Sequence, residues 1–160
     1  MMTKKQTNKN YNTVELGNKL HKQLVERAKL QQKQEEVWRD IKRVRDNRYS
    51  AKLNQIDNQI GCCTHEIDVT IATLIRVGGK STKAHKMAIS YLKHEIARNQ
   101  RIASSREKLV HQVEAGVRQY INDKGITHTD TRSQRAYVAK KKQKIAEHQK
   151  MLSKLLNVRP

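Results

Sequence analysis

A few short stretches of this 160-residue chain hold residue types that do chemistry in other settings. Val77-Gly78-Gly79-Lys80-Ser81-Thr82 ends in the Gly-Lys-Ser of a phosphate-binding loop, in which backbone NH groups cradle a polyphosphate. The first glycine of such a loop would fall at position 74, which is Leu74, and no metal-binding acid after a second strand is visible. A nucleotidase is therefore not expected. A weaker role survives, in which the NH groups of Gly79 to Thr82 at a helix start hold one backbone phosphate, helped by Lys80. Cys62-Cys63-Thr64-His65 offers half of a zinc set, but adjacent cysteines suit one tetrahedral ion poorly and no second pair exists. The two read better as small apolar residues at a helix junction. His94-Glu95 is followed by Ile96, Ala97 and Arg98 and so does not complete H-E-x-x-H; no Gly-x-Ser-x-Gly elbow occurs. The chain reads as a non-enzyme, with no cofactor and no metal expected.

Charge is the stronger signal. Lys and Arg total 34 against 15 Asp and Glu, a formal charge of +19, which calls for an acidic partner. The excess is uneven: residues 61–79 are near neutral, whereas residues 131–160 hold nine basic residues and one acid. Arg132, Arg135, Lys140, Lys141, Lys142, Lys144, Lys150 and Lys154 share that segment with Glu147 alone. Like charges at i,i+4 destabilise a helix, so their density points to a polyanion that relieves the repulsion. Lys83, Lys86, Lys93, Arg101 and Lys108, with Lys80 ahead of them, fall near a stripe that could follow a phosphate backbone. A third cluster, Arg39, Lys42, Arg43, Arg45 and Arg48, is diluted by Asp40 and Asp46 and reads equally as a solvated face. Tyr91 and Tyr137 read as edges of a core ahead of base-stacking platforms, and Trp38 as a core or interface anchor. His111 and His148 are expected at the surface.

The elements that must position these groups are helical. The sole proline is the last residue and there is no Phe, while Gln, Lys, Glu, Arg, Leu and Ala fill long tracts. Residues 1–12, with three lysines and no acid, are expected as a mobile basic arm, with Thr13 as the cap of a helix running to about Ile60. Leu16, Leu20, Leu24 and Ala28 recur at four-residue steps, and Gln31 to Glu36 contains no apolar residue. A helix polar all round must cross solvent or a partner surface there. The apolar segment 61–79 is expected as a short helical turn ending at Gly78-Gly79. A second long helix is expected from Ser81 or Thr82, with a seam of Ile89, Leu92, Ile96, Ala103, Val110, Val113, Val117 and Tyr120. A break near Ser104 is possible, and Gly125-Ile126 has the form of its C-cap. Thr131-Arg132-Ser133-Gln134 has the spacing of a capping box that opens a last helix, its thin seam Val138, Ile145 and Leu152. The fold class is all-α: an elongated helical hairpin or bundle with coiled-coil-like seams. Residues 13–125 form the hairpin and 131–160 a basic C-terminal helix on or beyond it.

The expected function is a sequence-tolerant nucleic-acid binder, RNA or DNA, working as a helical subunit of a nucleoprotein assembly with other protein subunits. The alternative is a structural coiled-coil protein on an acidic protein surface or a tubulin-like filament, because thin seams invite a partner helix. Membrane binding is not expected, since no run of 18 apolar residues occurs and no wide apolar face lies opposite the lysines of 132–154. The first residues lack the apolar core of a secretory signal, and adjacent cysteines leave no disulfide framework. An intracellular, reducing compartment is expected: cytoplasm, nucleus or virion.

Overall fold

The computed structural model describes the backbone of residues 2–44, 48–77, 80–116, 120–121, 127–128 and 130–158, and the side chains of residues 13–40, 51–77, 80–116 and 130–158. Four helices make up almost all of it: α1 (Met2–Val44), α2 (Arg48–Val77), α3 (Lys83–Glu114) and α4 (Arg132–Leu156). Between α3 and α4 lies a two-residue antiparallel ladder, β1 (Tyr120–Ile121) with β2 (Thr127–His128), that the sequence did not suggest. The chain is all-α with helical hairpin packing, as the periodicity implies. It divides into two compact units, Met1–Ala88 with Asn157–Pro160, and Ile89–Leu156.

In the first unit α1 and α2 pack on one another as an antiparallel pair. Val37 packs near Leu53 and Ile56 at one end, with Ile60 against them, and Gln23 meets Thr70 further along. The buried positions of α2, Leu53, Ile56, Cys63, Ile67, Thr70, Ile71 and Leu74, follow steps of three and four. The hairpin therefore turns between α1 and α2, and residues 61–77 are the second half of α2, not the turn. Their apolar density is explained by burial along the whole of the α2 seam. The helix ends at Val77, directly ahead of Gly78-Gly79, and those glycines lie outside the described residues.

Two expectations for α1 need correction. The helix includes residues 2–12, so Thr13 is not its cap, and the side chains of that segment lie outside the described residues. Its seam is also different. Leu16, Leu20, Leu24 and Ala28 step by four, which drifts about 40° per step from one face. The structure instead turns Leu20, Gln23, Arg27 and Val37 inward and leaves Ala28 exposed. The tract Gln31–Glu36 meets α2 on one side, where Gln34 Nε2 donates to Asp57 Oδ1 at 2.5 Å, and Gln32, Lys33, Glu35 and Glu36 are exposed. Trp38 is 37% exposed, so it is no core residue. Cys63 is buried and its thiol donates to the Gln23 carbonyl, while Cys62 faces outward, so the pair cannot converge on one ion. Burial, with Glu26 and Glu66 nearby, pushes the Cys63 thiol up, away from a reactive thiolate.

The start of α3 shows how its boundary is encoded. The Thr82 carbonyl accepts from the Lys86 NH, and the Thr82 NH donates to Nδ1 of His85 three residues on. The Thr82 hydroxyl also lies 2.9 Å from that Nδ1, so an imidazole takes the place at the cap of the usual Glu or Gln. His85 is 1% exposed and its Nε2 has no partner, and burial lowers its pKa below the ordinary 6.5. A depressed imidazole contributes stability that is present above about pH 6.5 and is lost as pH falls below it. Melting temperature should therefore drop on acidification through that range. His85→Gln, which keeps an acceptor for the Thr82 NH, should flatten the drop; an unchanged profile would remove His85 from the cap.

In the second unit α3 and α4 run antiparallel, side chain to side chain. Leu92, Ile96, Ala103, Val110 and Val113 are buried as the seam expected, and no break occurs at Ser104. The helix ends at Glu114 rather than near Gly125, and Tyr120 belongs to β1, while Val117 lies outside the described residues. Gly116, at φ +74°, supplies the left-handed residue, and its NH turns back to the Val113 carbonyl at 3.1 Å. Gly125 and Ile126 lie outside the described residues. The α4 face that packs inward carries Val138, His148 and Leu155. His148 is 1% exposed, not a surface residue, and meets buried Tyr91 edge to face with ring centroids 6.2 Å apart. It occupies a seam position of the 3,4 series through Val138, Ile145, Leu152 and Leu155, where an apolar residue is the usual occupant.

Candidate nucleic-acid interface

Basic side chains of the second unit fall into two groups by what they touch. On α4, four of the eight expected contacts are engaged with acids. Arg132 holds Asp130 at 2.7 Å, Arg135 grips Glu114, Lys142 pairs with Glu107, and Lys144 lies 3.9 Å from Glu147. Three of those acids lie outside α4, so counting charge along α4 alone overstated its repulsion. Glu114 also accepts from the Thr131 hydroxyl at 2.9 Å, and these donors hold its carboxyl below the usual carboxylate range. Arg106 donates to Gln134 at 3.0 Å and sits 5.3 Å above the Tyr137 ring, with Lys141 at 5.4 Å from the same ring. Tyr137 is thus half-exposed under two cations, and Tyr91 is buried; neither presents an open stacking face. The capping box at Thr131 starts α4 at the expected place, but its side chains do other work, tying the helix start to α3.

Of the other four α4 cations, Lys141 lies at the Tyr137 ring, and Lys140, Lys150 and Lys154 are exposed and form no ion pair among the described residues. At 100° per residue they share an arc of about 80°, turned away from the Val138–Leu155 seam. Between Lys140 and Lys154 the helix rises about 21 Å.

On α3, Lys93, Arg101 and Lys108 are exposed and likewise share an arc of about 80°. No Asp or Glu of α3 within this unit falls on that arc. The residues interleaved with them, Ser90, Ala97 and Ser104, are exposed and small, so a strand could approach the helix backbone closely. This interleaving was not singled out in the sequence, although the helical wheel contains it. Arg98, off the arc, is occupied by Glu95 at 3.7 Å.

The other expected contacts belong to the first unit. Lys86 is exposed on the first turn of α3, whereas Lys80 and Lys83 line an open cavity. The phosphate nest foreseen at Gly79–Thr82 is reduced, because the Thr82 NH is already donated to His85. Of the 39–48 cluster, the side chains of Lys42, Arg43, Arg45 and Arg48 lie outside the described residues. Among the described residues no helix is long and apolar enough to cross a membrane. Compared with known proteins, the chain matches no family model, no curated protein and no solved structure.

Proposed function

We propose that the second unit binds nucleic acid without sequence preference, as a helical subunit of a nucleoprotein assembly with other protein subunits. The observation that supports it is the acid-free arc of Lys93, Arg101 and Lys108 on α3, backed by Lys140, Lys150 and Lys154 on α4. None of the six is in an ion pair among the described residues, and each stripe is long enough for about six phosphates at 3.4 Å axial rise per strand. Phosphate contacts of this kind position a strand and carry no base readout. Among the described residues of this unit neither Tyr91 nor Tyr137 offers an open stacking face, which fits that reading. No catalytic role is proposed.

The test is the salt dependence of binding to a mixed-sequence oligonucleotide. Log K should fall linearly with log salt, with a slope near −0.7 to −0.9 per phosphate neutralised. Replacing Lys93, Arg101 and Lys108 together with Gln should lower the magnitude of that slope by about two to three, with far-ultraviolet circular dichroism unchanged. Lys140, Lys150 and Lys154 are the matching set on α4, because Lys142 also holds Glu107 and its loss would disturb packing. A slope unaffected by either triple variant would place the site elsewhere. Salt-independent association would point to an acidic protein surface.

A further inference from the structure

We propose that the first unit holds a binding site for a single-chain anionic amphiphile, an aliphatic tail ending in a carboxylate or phosphate. The site is an open cavity of about 1300 Å³ formed by residues 13–22 of α1, the end of α2 and the first turns of α3. It exceeds the usual range of about 300–1,000 Å³ for small-molecule sites, which suits a long flexible ligand better than a compact one. Its floor is where Gly17 of α1 lies against Ala84 of α3. A Cβ placed on Gly17 would lie 3.1 Å from the Ala84 Cβ, so bare backbone and a methyl group line that point. Val14, Val77 and Met87 complete an aliphatic wall, and Val14 is 65% exposed in a chain otherwise dominated by charge.

Around that wall stand Lys19, Lys22, Lys80 and Lys83. All four are exposed, and none makes an ion pair or hydrogen bond among the described residues. Among the described residues no Asp or Glu lines the cavity. Four lysines over one concave surface with no carboxylate repel one another until an anion joins them. The apolar floor beneath them has no use for an inorganic anion and every use for a tail. A nucleotide fits less well, because among the described residues His21 is the one ring that lines the cavity, and no Tyr or Trp lines it to stack a base. The site shares no residue with the nucleic-acid stripes of the second unit.

Calorimetric titration of the full chain with octanoate, decanoate and dodecanoate, each kept below micelle formation, tests this. One ligand per chain is expected, with affinity rising roughly tenfold for each two methylenes, since burying one CH₂ contributes about 0.8 kcal/mol. Dodecyl phosphate in parallel identifies the preferred head group; failure of both dodecanoate and dodecyl phosphate to bind overturns the proposal. Dodecyltrimethylammonium, with the same tail and opposite charge, should not saturate. Lys22→Glu with Lys83→Glu should weaken dodecanoate binding at least tenfold, and Val14→Asp should do the same through the floor. The Lys93, Arg101 and Lys108 triple variant should leave it unchanged, which separates this site from the nucleic-acid reading. Equal binding of the cationic amphiphile, many ligands per chain, or binding to phosphatidylglycerol vesicles with none to monomeric dodecanoate would each overturn it.

Discussion

Leu92→Asp is expected to abolish the cooperative thermal transition and most of the far-ultraviolet ellipticity, whereas Lys93→Asp, one residue along, should leave both nearly intact. Leu92 is 0% exposed on the inner face of α3, and Lys93 is exposed on the outer one. Removing a buried leucine side chain costs about 2–5 kcal/mol. Placing a carboxylate there adds several more, because nothing apolar around it can hydrogen-bond a charge. Against a total stability on the order of 5–15 kcal/mol for an ordinary domain, that sum is enough to unfold the chain. The exposed substitution should stay within about 0.5–1 kcal/mol. A folded Leu92→Asp protein would mean that α3 is rotated from the orientation described.

The second large effect lies in the α1–α2 hairpin. Thr70 is 3% exposed, and its hydroxyl lies 2.9 Å from both Gln23 Oε1 and its own Glu66 carbonyl. Thr70→Val keeps the shape and deletes the donor, leaving the buried Gln23 amide oxygen without it. The expected cost is about 1–3 kcal/mol, read from the urea midpoint at constant m-value. Thr70→Val with Gln23→Leu removes both partners and should recover most of the loss, because neither polar group is then stranded. The double-mutant cycle should give a coupling of at least about 1 kcal/mol. Additive losses would show that the two side chains do not act as a pair.

Helical class, the α2 stop at Gly78-Gly79, the start of α3 and the inward residues Leu92, Ile96, Ala103, Val110 and Val113 were all legible from spacing and caps. The hairpin turn was not. Arg45-Asp46-Asn47 holds neither Gly nor Pro, its Asp-Asn pair is a weaker signal, and the most apolar segment pointed to 61–79 instead. Apolar density reports burial, and α2 is buried along its length. His148 and Gln23 were missed for a related reason. Both sit at seam positions by the 3,4 count, but polar residues are discounted when a seam is read by hydrophobicity. The end of α3 rested on a choice between glycines, and Gly116 precedes Gly125; only the backbone angle at Gly116 separates them. At the candidate interface the lysines were plain, but their availability was not. Which of them is spent on Glu107, Glu114, Asp130 or Glu147 depends on contacts between elements that one helix's sequence does not contain.

Gln23 also limits how α1 and α2 can be aligned. Its side chain takes Thr70, and its carbonyl takes the Cys63 thiol at 3.4 Å, so one layer of α1 is keyed to two layers of α2. Sliding α2 by a heptad in one direction presents Ile56 and Cys63 to that layer; in the other it presents Thr70 and Val77. Either shift strands at least one polar partner and moves Gln34 off Asp57. A seam of leucines alone would tolerate such slippage, and would accept foreign helices as readily as its own. The polar layer thus makes self-recognition selective at the expense of strength. A hairpin carrying Gln23→Leu and Thr70→Val should be nearly as stable as the native one yet exchange among several alignments.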